Sequence, residues 1–168
     1  ESLKKTKKNI ECISSDNVDI NNLIEDLSKA KTPILVLGNG IRNCSFSLIK
    51  DLVGLLHEKK IAYLSTWGSK DLLESFKDNY LYCGSPGIFG SRKANALMYY
   101  SDCIISLGCS LGYSHTGYRV SNINTSSLHI IDIDSAQFCK PEFNNSHFYL
   151  MESQVFIEKI IKVFKNKS

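Results

Sequence analysis

The chain has 168 residues, 43% of them apolar and 22% charged, which suits one domain with a full-sized core and excludes a low-complexity chain. Its formal charge of +3 sits in the ends, since residues 1–8 carry +3 and residues 159–168 carry +4, leaving −4 for everything between. A folded body of that sign argues against a nucleic-acid partner, and no apolar run is long enough to span a bilayer.

Residues 1–16 are rich in Lys, Ser and Asn without apolar periodicity and read as a linker ahead of a domain over 17–168. Ile20, Leu23, Ile24 and Leu27 then recur at helical spacing behind Asp19, a residue type that caps helix N-termini. Thr32-Pro33 opens an unbroken apolar run over 34–37, closed by Gly38-Asn39-Gly40. A strand with no polar alternation is covered on both faces, as in a parallel sheet. Leu48, Ile49, Leu52, Val53, Leu55 and Leu56 predict the next helix, followed by a strand over 61–65. The polar connector 67–79 has helical spacing at 72–76, and 80–83 reads as a short strand or extended edge. Turn formers crowd 84–90, and Ala94, Leu97 and Met98 predict a helix ending before Ser101-Asp102. Further strands are predicted over 103–108, 128–134 and 147–150, with a Gly/Ser/Tyr loop over 109–126 and a closing helix over 155–164. Strands alternating with helices in this rhythm specify an α/β three-layer sandwich around a mainly parallel, Rossmann-like sheet.

Open parallel sheets bind ligands beyond the carboxyl ends of their strands. That rule gathers Gly38-Asn39-Gly40, Thr66-Trp67-Gly68, 87–90, 108–112, Asp132 and Asp134 on one rim. Gly38, Asn39, Gly40, Gly87, Phe89, Gly90, Gly108, Ser110, Asp132 and Asp134 are the candidate cofactor-binding residues. Glycines admit a bulky group to the backbone and acids accept ribose hydroxyls, although glycines in these places also simply terminate strands. A dinucleotide fingerprint is not met: Asn43 stands where the third glycine belongs, and Ser65-Thr66-Trp67 puts no acid after the second strand. Arg42 and Arg92 each follow a rim loop, where an Arg either holds a phosphate or is solvated. His57, His129 and His147 fall in or beside regular elements, and only His115 lies in a loop that a ligand would reach. There is no G-x-S-x-G elbow, and no pair of residues makes an acid–base couple, so no catalytic residue is assigned. Cys12, Cys44, Cys83, Cys103, Cys109 and Cys139 form no CxxC pair or zinc-type spacing, so no metal ligand is assigned and a reduced, cytoplasmic setting is expected.

A series of motifs runs along the chain. Ala30-Lys31-Thr32-Pro33 with its strand and Gly38-Asn39-Gly40 comes first, then Thr66-Trp67-Gly68 and Tyr82-Cys83-Gly84-Ser85-Pro86-Gly87-Ile88-Phe89-Gly90. Ser101-Asp102-Cys103-Ile104-Ile105-Ser106-Leu107-Gly108 and Ile131-Asp132-Ile133-Asp134-Ser135-Ala136-Gln137 complete the series. Taken in order, these motifs resemble the central domain of thiamine-diphosphate-dependent enzymes, and acetolactate synthase-like ones above all. The resemblance implies a non-catalytic middle domain of a three-domain enzyme that decarboxylates a 2-oxo acid and joins the product to an acceptor. Thiamine diphosphate and Mg²⁺ would be held by flanking domains of the same polypeptide, in a homodimer or homotetramer. In that family the middle domain also binds FAD in some members. Here the family's Met-His-Gly reads Ile88-Phe89-Gly90, and its Gly-Ala-Arg-Phe-Asp-Asp-Arg reads Gly108-Cys109-Ser110-Leu111-Gly112-Tyr113-Ser114, so a His and two Arg are missing. A stand-alone module binding an adenine nucleotide, FAD or NAD, is the alternative reading. A sirtuin-like NAD-consuming enzyme on a related sheet is disfavoured by the missing zinc-type cysteines.

Overall fold

The computed structural model describes residues 18–116, 123, 127–140, 143 and 146–166; the linker expected over 1–16 lies outside them. Five strands form one sheet in the order β2-β1-β3-β4-β5, every pair parallel. They are β1 (Pro33–Leu37), β2 (Ala62–Ser65), β3 (Cys103–Leu107), β4 (Ser127–Asp132) and β5 (His147–Leu150). The chain passes from β1 outward to β2 and then returns to place β3 on the other side of β1. The topological switch point therefore falls between β1 and β3.

Side chains alternate across a strand, so an unbroken apolar run supplies two cores at once. Leu35, Leu37, Cys103, Ile105 and Leu107 face one side, where Leu23, Ile24 and Leu27 of α1 (Asn21–Lys29) join them. Ile49, Leu52 and Leu56 of α2 (Phe46–Glu58) and Phe156, Ile157 and Ile160 of α6 (Ser153–Lys165) complete that core. Ile34, Val36, Ile104 and Ile130 face the other side, against Ala94 and Met98 of α4 (Arg92–Tyr100) and the loop residues Cys83, Cys109 and Leu111. Each fully buried aliphatic side chain contributes about 1.5–3 kcal/mol, which is why these runs, rather than local propensity, hold the layers together.

Local signals start the helices. Ser45 Oγ accepts from Leu48 N–H at the head of α2, and Ser91 Oγ accepts from Ala94 N–H at the head of α4. Asp19 accepts from Asn21 N–H at 2.8 Å, although Ile20 rather than Asp19 is the residue flanking α1. Asp102 accepts from Lys31 N–H, Thr32 N–H and the Thr32 hydroxyl, tying the entry of β1 to the turn before β3. Burial pushes the Asp102 carboxyl up, but those hydrogen bonds outweigh it and hold it below the ordinary carboxylate range.

Four boundaries differ from the sequence expectation. The edge segment expected over 80–83 makes only an isolated bridge, Tyr82 to Tyr63, because Asn79 takes the Leu81 and Tyr82 N–H groups. The helical turn expected at 72–76 begins earlier, as α3 (Lys70–Leu73) followed by a 3-10 turn, Glu74–Phe76. The buried Ser69 hydroxyl sets that start by bonding Leu37 O and Thr66 O. β4 stops at Asp132, whose carboxylate takes the Asp134 N–H and turns the chain. The loop expected over 109–126 holds a short helix, α5 (Tyr113–Thr116).

Candidate functional site

The carboxyl ends of the strands are level: Leu37 pairs with Ser65 and Leu107, and Leu107 with Ile131. Their loops consequently meet on one rim. At the switch point they meet so closely that they touch. Gly38 N–H donates to Leu107 O at 2.8 Å, and Gly40 N–H to Gly108 O at 3.0 Å. A Cβ on Gly38 would lie 2.1 Å from Gly108 O, and one on Gly40 would lie 2.7 Å from Gly108 Cα. Gly108, at φ +57, is pressed in turn against Gly40 and the Ser153 hydroxyl at the start of α6. These three glycines make the floor of the crevice by packing on one another.

Gly87 and Gly90 serve a second close approach. A Cβ at Gly87, where φ is +109, would lie 2.0 Å from Ser114 O, and one at Gly90 would lie 2.4 Å from Ser85 O. Asn95 of α4 accepts from Gly87 N–H and donates to Gly87 O, while Ser91 donates to Cys83 O. Loop 84–91 is thereby pinned with Phe89 projecting from it, 81% exposed. Opposite stands Trp67, 60% exposed, with the two ring centroids 5.8 Å apart and tilted by 48°.

Arg42 fixes the Trp67 side of the rim. Its Nε donates to Asn39 Oδ1 and to Gly68 O, both at 2.9 Å, and its Nη2 pairs with Asp71 Oδ1 at 2.6 Å. That hydrogen bond holds the Asp71 carboxyl below the ordinary range. The Arg42 guanidinium is thus committed to bracing two loops, and Asn39 is the brace's acceptor. Asp132 and Asp134 are likewise engaged: Asp134 accepts from Ala136 N–H and from Gln137 Nε2, which hold its carboxyl below the usual range. Ser110 is exposed and its carbonyl accepts from Lys140 Nζ.

Beside the floor lies a cavity of about 220 Å³ lined by Trp67, Pro86, Phe89, Ser114 and His115. It adjoins a wider cleft that shares Trp67 and Phe89 and carries Lys70, Glu74 and Lys77. The His115 Nδ1 is buried without a hydrogen-bond partner, and burial, with Lys140 nearby, pushes its proton affinity below that of an ordinary His. The two aromatic side chains give the cavity an apolar lining of the kind that takes a planar ring. Of the ten candidate cofactor-binding residues only Phe89 lines this cavity, and His115, the one histidine expected within reach of a ligand, lines it too. Trp67 and Pro86 were visible in the rim motifs, but nothing in the sequence separates them from turn residues. Among the described residues no group of three His, Cys, Asp or Glu side chains is placed to hold a metal ion.

Fold and rim together define a Rossmann-like α/β domain whose loops converge at the carboxyl edge of the sheet. The model of the thiamine pyrophosphate enzyme central domain matches residues 20–146, and the chain belongs to that family. It is 27% identical over 120 residues to a 3D-(3,5/4)-trihydroxycyclohexane-1,2-dione hydrolase of Listeria innocua, covering 66% of this chain and 18% of the relative. It is 26% identical over 143 residues to a probable acetolactate synthase large subunit of Methanococcus aeolicus, covering 85% of this chain and 23% of the relative. The chain thus spans only 18% and 23% of these curated relatives' lengths. Among solved structures, Sir2 bound to acetylated peptide superposes with a TM-score of 0.67 over 88% of this chain and 99% of that one, at 14% identity. A Sir2–p53 peptide–NAD+ structure gives 0.64 over 89% of this chain and 100% of that one, at 12% identity. At such identities the likeness is one of fold alone.

Proposed function

We propose that this chain is the non-catalytic, cofactor-supporting central domain of an acetolactate synthase-like enzyme that decarboxylates a 2-oxo acid and joins the product to an acceptor. The family match over 20–146, on a chain covering under a quarter of either relative, carries this reading. Flanking domains of the same polypeptide would hold thiamine diphosphate and Mg²⁺, in a homodimer or homotetramer. Bound there, the cofactor supplies the electron sink for decarboxylation. This chain's own residues supply the rim: Arg42 braces the Trp67 loop, Asn95 pins the Phe89 loop, and both aromatic faces stand outward for what docks above them. The test compares this chain with the product of its whole reading frame, using pyruvate with thiamine diphosphate and Mg²⁺. Turnover is expected only from the longer product. Turnover by this chain alone, or a reading frame without flanking domains, overturns the proposal.

The cavity between Trp67 and Phe89 favours a second reading, in which the rim takes the planar ring of an adenine nucleotide, FAD or NAD. Trp67 is the chain's single tryptophan, so its fluorescence reports the site directly. Saturable quenching by FAD or NAD that is lost in Phe89→Ala supports this reading, and flat titrations with both dismiss it.

A further inference from the structure

The solvent side of α2 carries a charge pattern that the chain uses only in part, Glu58 pairing with Lys59 and the His57 ring meeting that of Tyr80 edge-on at 5.6 Å. Gly54 sits mid-helix and exposed, and a Cβ added there would meet nothing within 4 Å. Glycine is the poorest helix former after proline, so this residue has a conformational cost and no internal reason. By contrast, Gly38, Gly40, Gly87, Gly90 and Gly108 are each forced by backbone lying closer than 3 Å. At about 3.6 residues per turn, Lys50 and His57 fall on one side of Gly54, and Asp51 and Glu58 fall on the other. All four are exposed. The stripe therefore has a basic edge, an acidic edge and a gap in the middle. Alongside the acidic edge runs a groove of about 370 Å³ between α2 and α6, with Leu55, Ile161 and Phe164 half-buried in it.

We propose that α2 is a self-association face on which a second copy of this chain docks, its α2 running parallel and crossing at Gly54. A two-fold axis along the paired helices sets the basic edge of each against the acidic edge of the other. Lys50 then meets Asp51 of the second copy, and His57 meets Glu58 of the second copy. An antiparallel pairing would instead oppose Asp51 to Glu58 and Lys50 to His57, so the charges select the parallel arrangement. The missing side chain at Gly54 lets the two backbones approach. Glu58 also pairs with Lys59 within its own chain at 2.8 Å, which leaves its second carboxylate oxygen for the neighbour.

Sedimentation equilibrium at low salt tests this with two double variants. Lys50→Glu with His57→Glu makes the stripe wholly acidic, and Asp51→Lys with Glu58→Lys makes it basic throughout. The wild-type chain is expected to dimerise reversibly, and each variant alone to dimerise at least about tenfold more weakly. An equimolar mixture of the two variants is expected to recover a heterodimer. Gly54→Leu, which fills the gap without altering charge, is expected to weaken the wild-type dimer as well. A wild-type chain that stays monomeric, variants that associate like the wild type, or a mixture that fails to pair would each overturn the proposal. All four charged positions are exposed, so unchanged far-ultraviolet circular dichroism confirms that the variants are folded.

Discussion

His129 lies fully buried in β4, its Nδ1 3.0 Å from the Tyr149 hydroxyl and its Nε2 3.0 Å from Asp26 Oδ2 of α1. The His147 ring stacks on it with centroids 4.9 Å apart, and the buried Cys103 stands on the neighbouring strand. Burial first, and His147 second, push the His129 proton affinity below the ordinary value of 6.5, against the opposing pull of Asp26. The imidazole is therefore a neutral hydrogen-bonding bridge rather than half of an ion pair. A base whose folded value is depressed binds its proton more readily in the unfolded chain. Its contribution to stability is complete above 6.5 and is lost as the pH falls from there through the depressed folded value. The urea midpoint is expected to drop over that interval in the wild type and to drop markedly less in His129→Leu. At neutral pH the same variant is expected to be less stable by about 1–3 kcal/mol, because the Tyr149 hydroxyl and Asp26 lose their partner. A midpoint that stays flat with pH in the wild type refutes the neutral bridge. The sequence placed His129 in a structural role but gave no sign of its partners, since Asp26 lies 103 positions away. Arg42 shows the same limit from the other side. Its place behind a rim glycine suits a phosphate, and only the fold reveals that Gly68 O takes its Nε–H and Asp71 an Nη2–H.

At the scale of elements, the glycine contacts decide where the strands end and how closely their loops approach. Gly108 needs φ +57 and has Gly40 Cα at 2.7 Å from any added Cβ, so Gly108→Ala strains the backbone and collides with it. A loss of about 2 kcal/mol or more is expected in chemical denaturation. Gly54→Ala is the counter-case, with open space and an ordinary helical backbone, and at dilutions where the chain is monomeric it should gain about 0.5–1 kcal/mol. Equal effects at the two positions would contradict the packed floor. Strand and helix existence was legible because runs such as 34–37 are apolar throughout, 103–107 is broken only by Ser106, and helix faces repeat at a fixed period. Boundaries were not, because they are set by single side chains acting across the fold, as Ser69 on Leu37 O does for α3. The rim's convergence was likewise legible from strand order, whereas the filling of its floor depends on a φ angle and on distances between loops 70 residues apart, as at Gly38 and Gly108.

The molecule as a whole is two apolar layers sharing one sheet, and four of its cysteines divide between them. Cys44 and Cys103 belong to the layer under α1, α2 and α6, and Cys83 and Cys109 to the layer under α4. Burial raises the thiols of Cys44 and Cys103 and pushes Cys109 up to about 11, so none of these three is a ready thiolate at neutral pH. Because each strand contributes alternate side chains to both layers, neither layer can open without stripping the other of its floor. Thiol labelling read by peptide mass spectrometry across a urea series at pH 7.5 measures this directly. Cys103 and Cys109, on opposite faces of adjacent parts of β3 and its loop, are expected to share one opening free energy equal to that of global unfolding. Cys109 reacting at lower urea than Cys103 would show instead that the α4 layer and its rim loops open on their own, ahead of the layer under α1, α2 and α6.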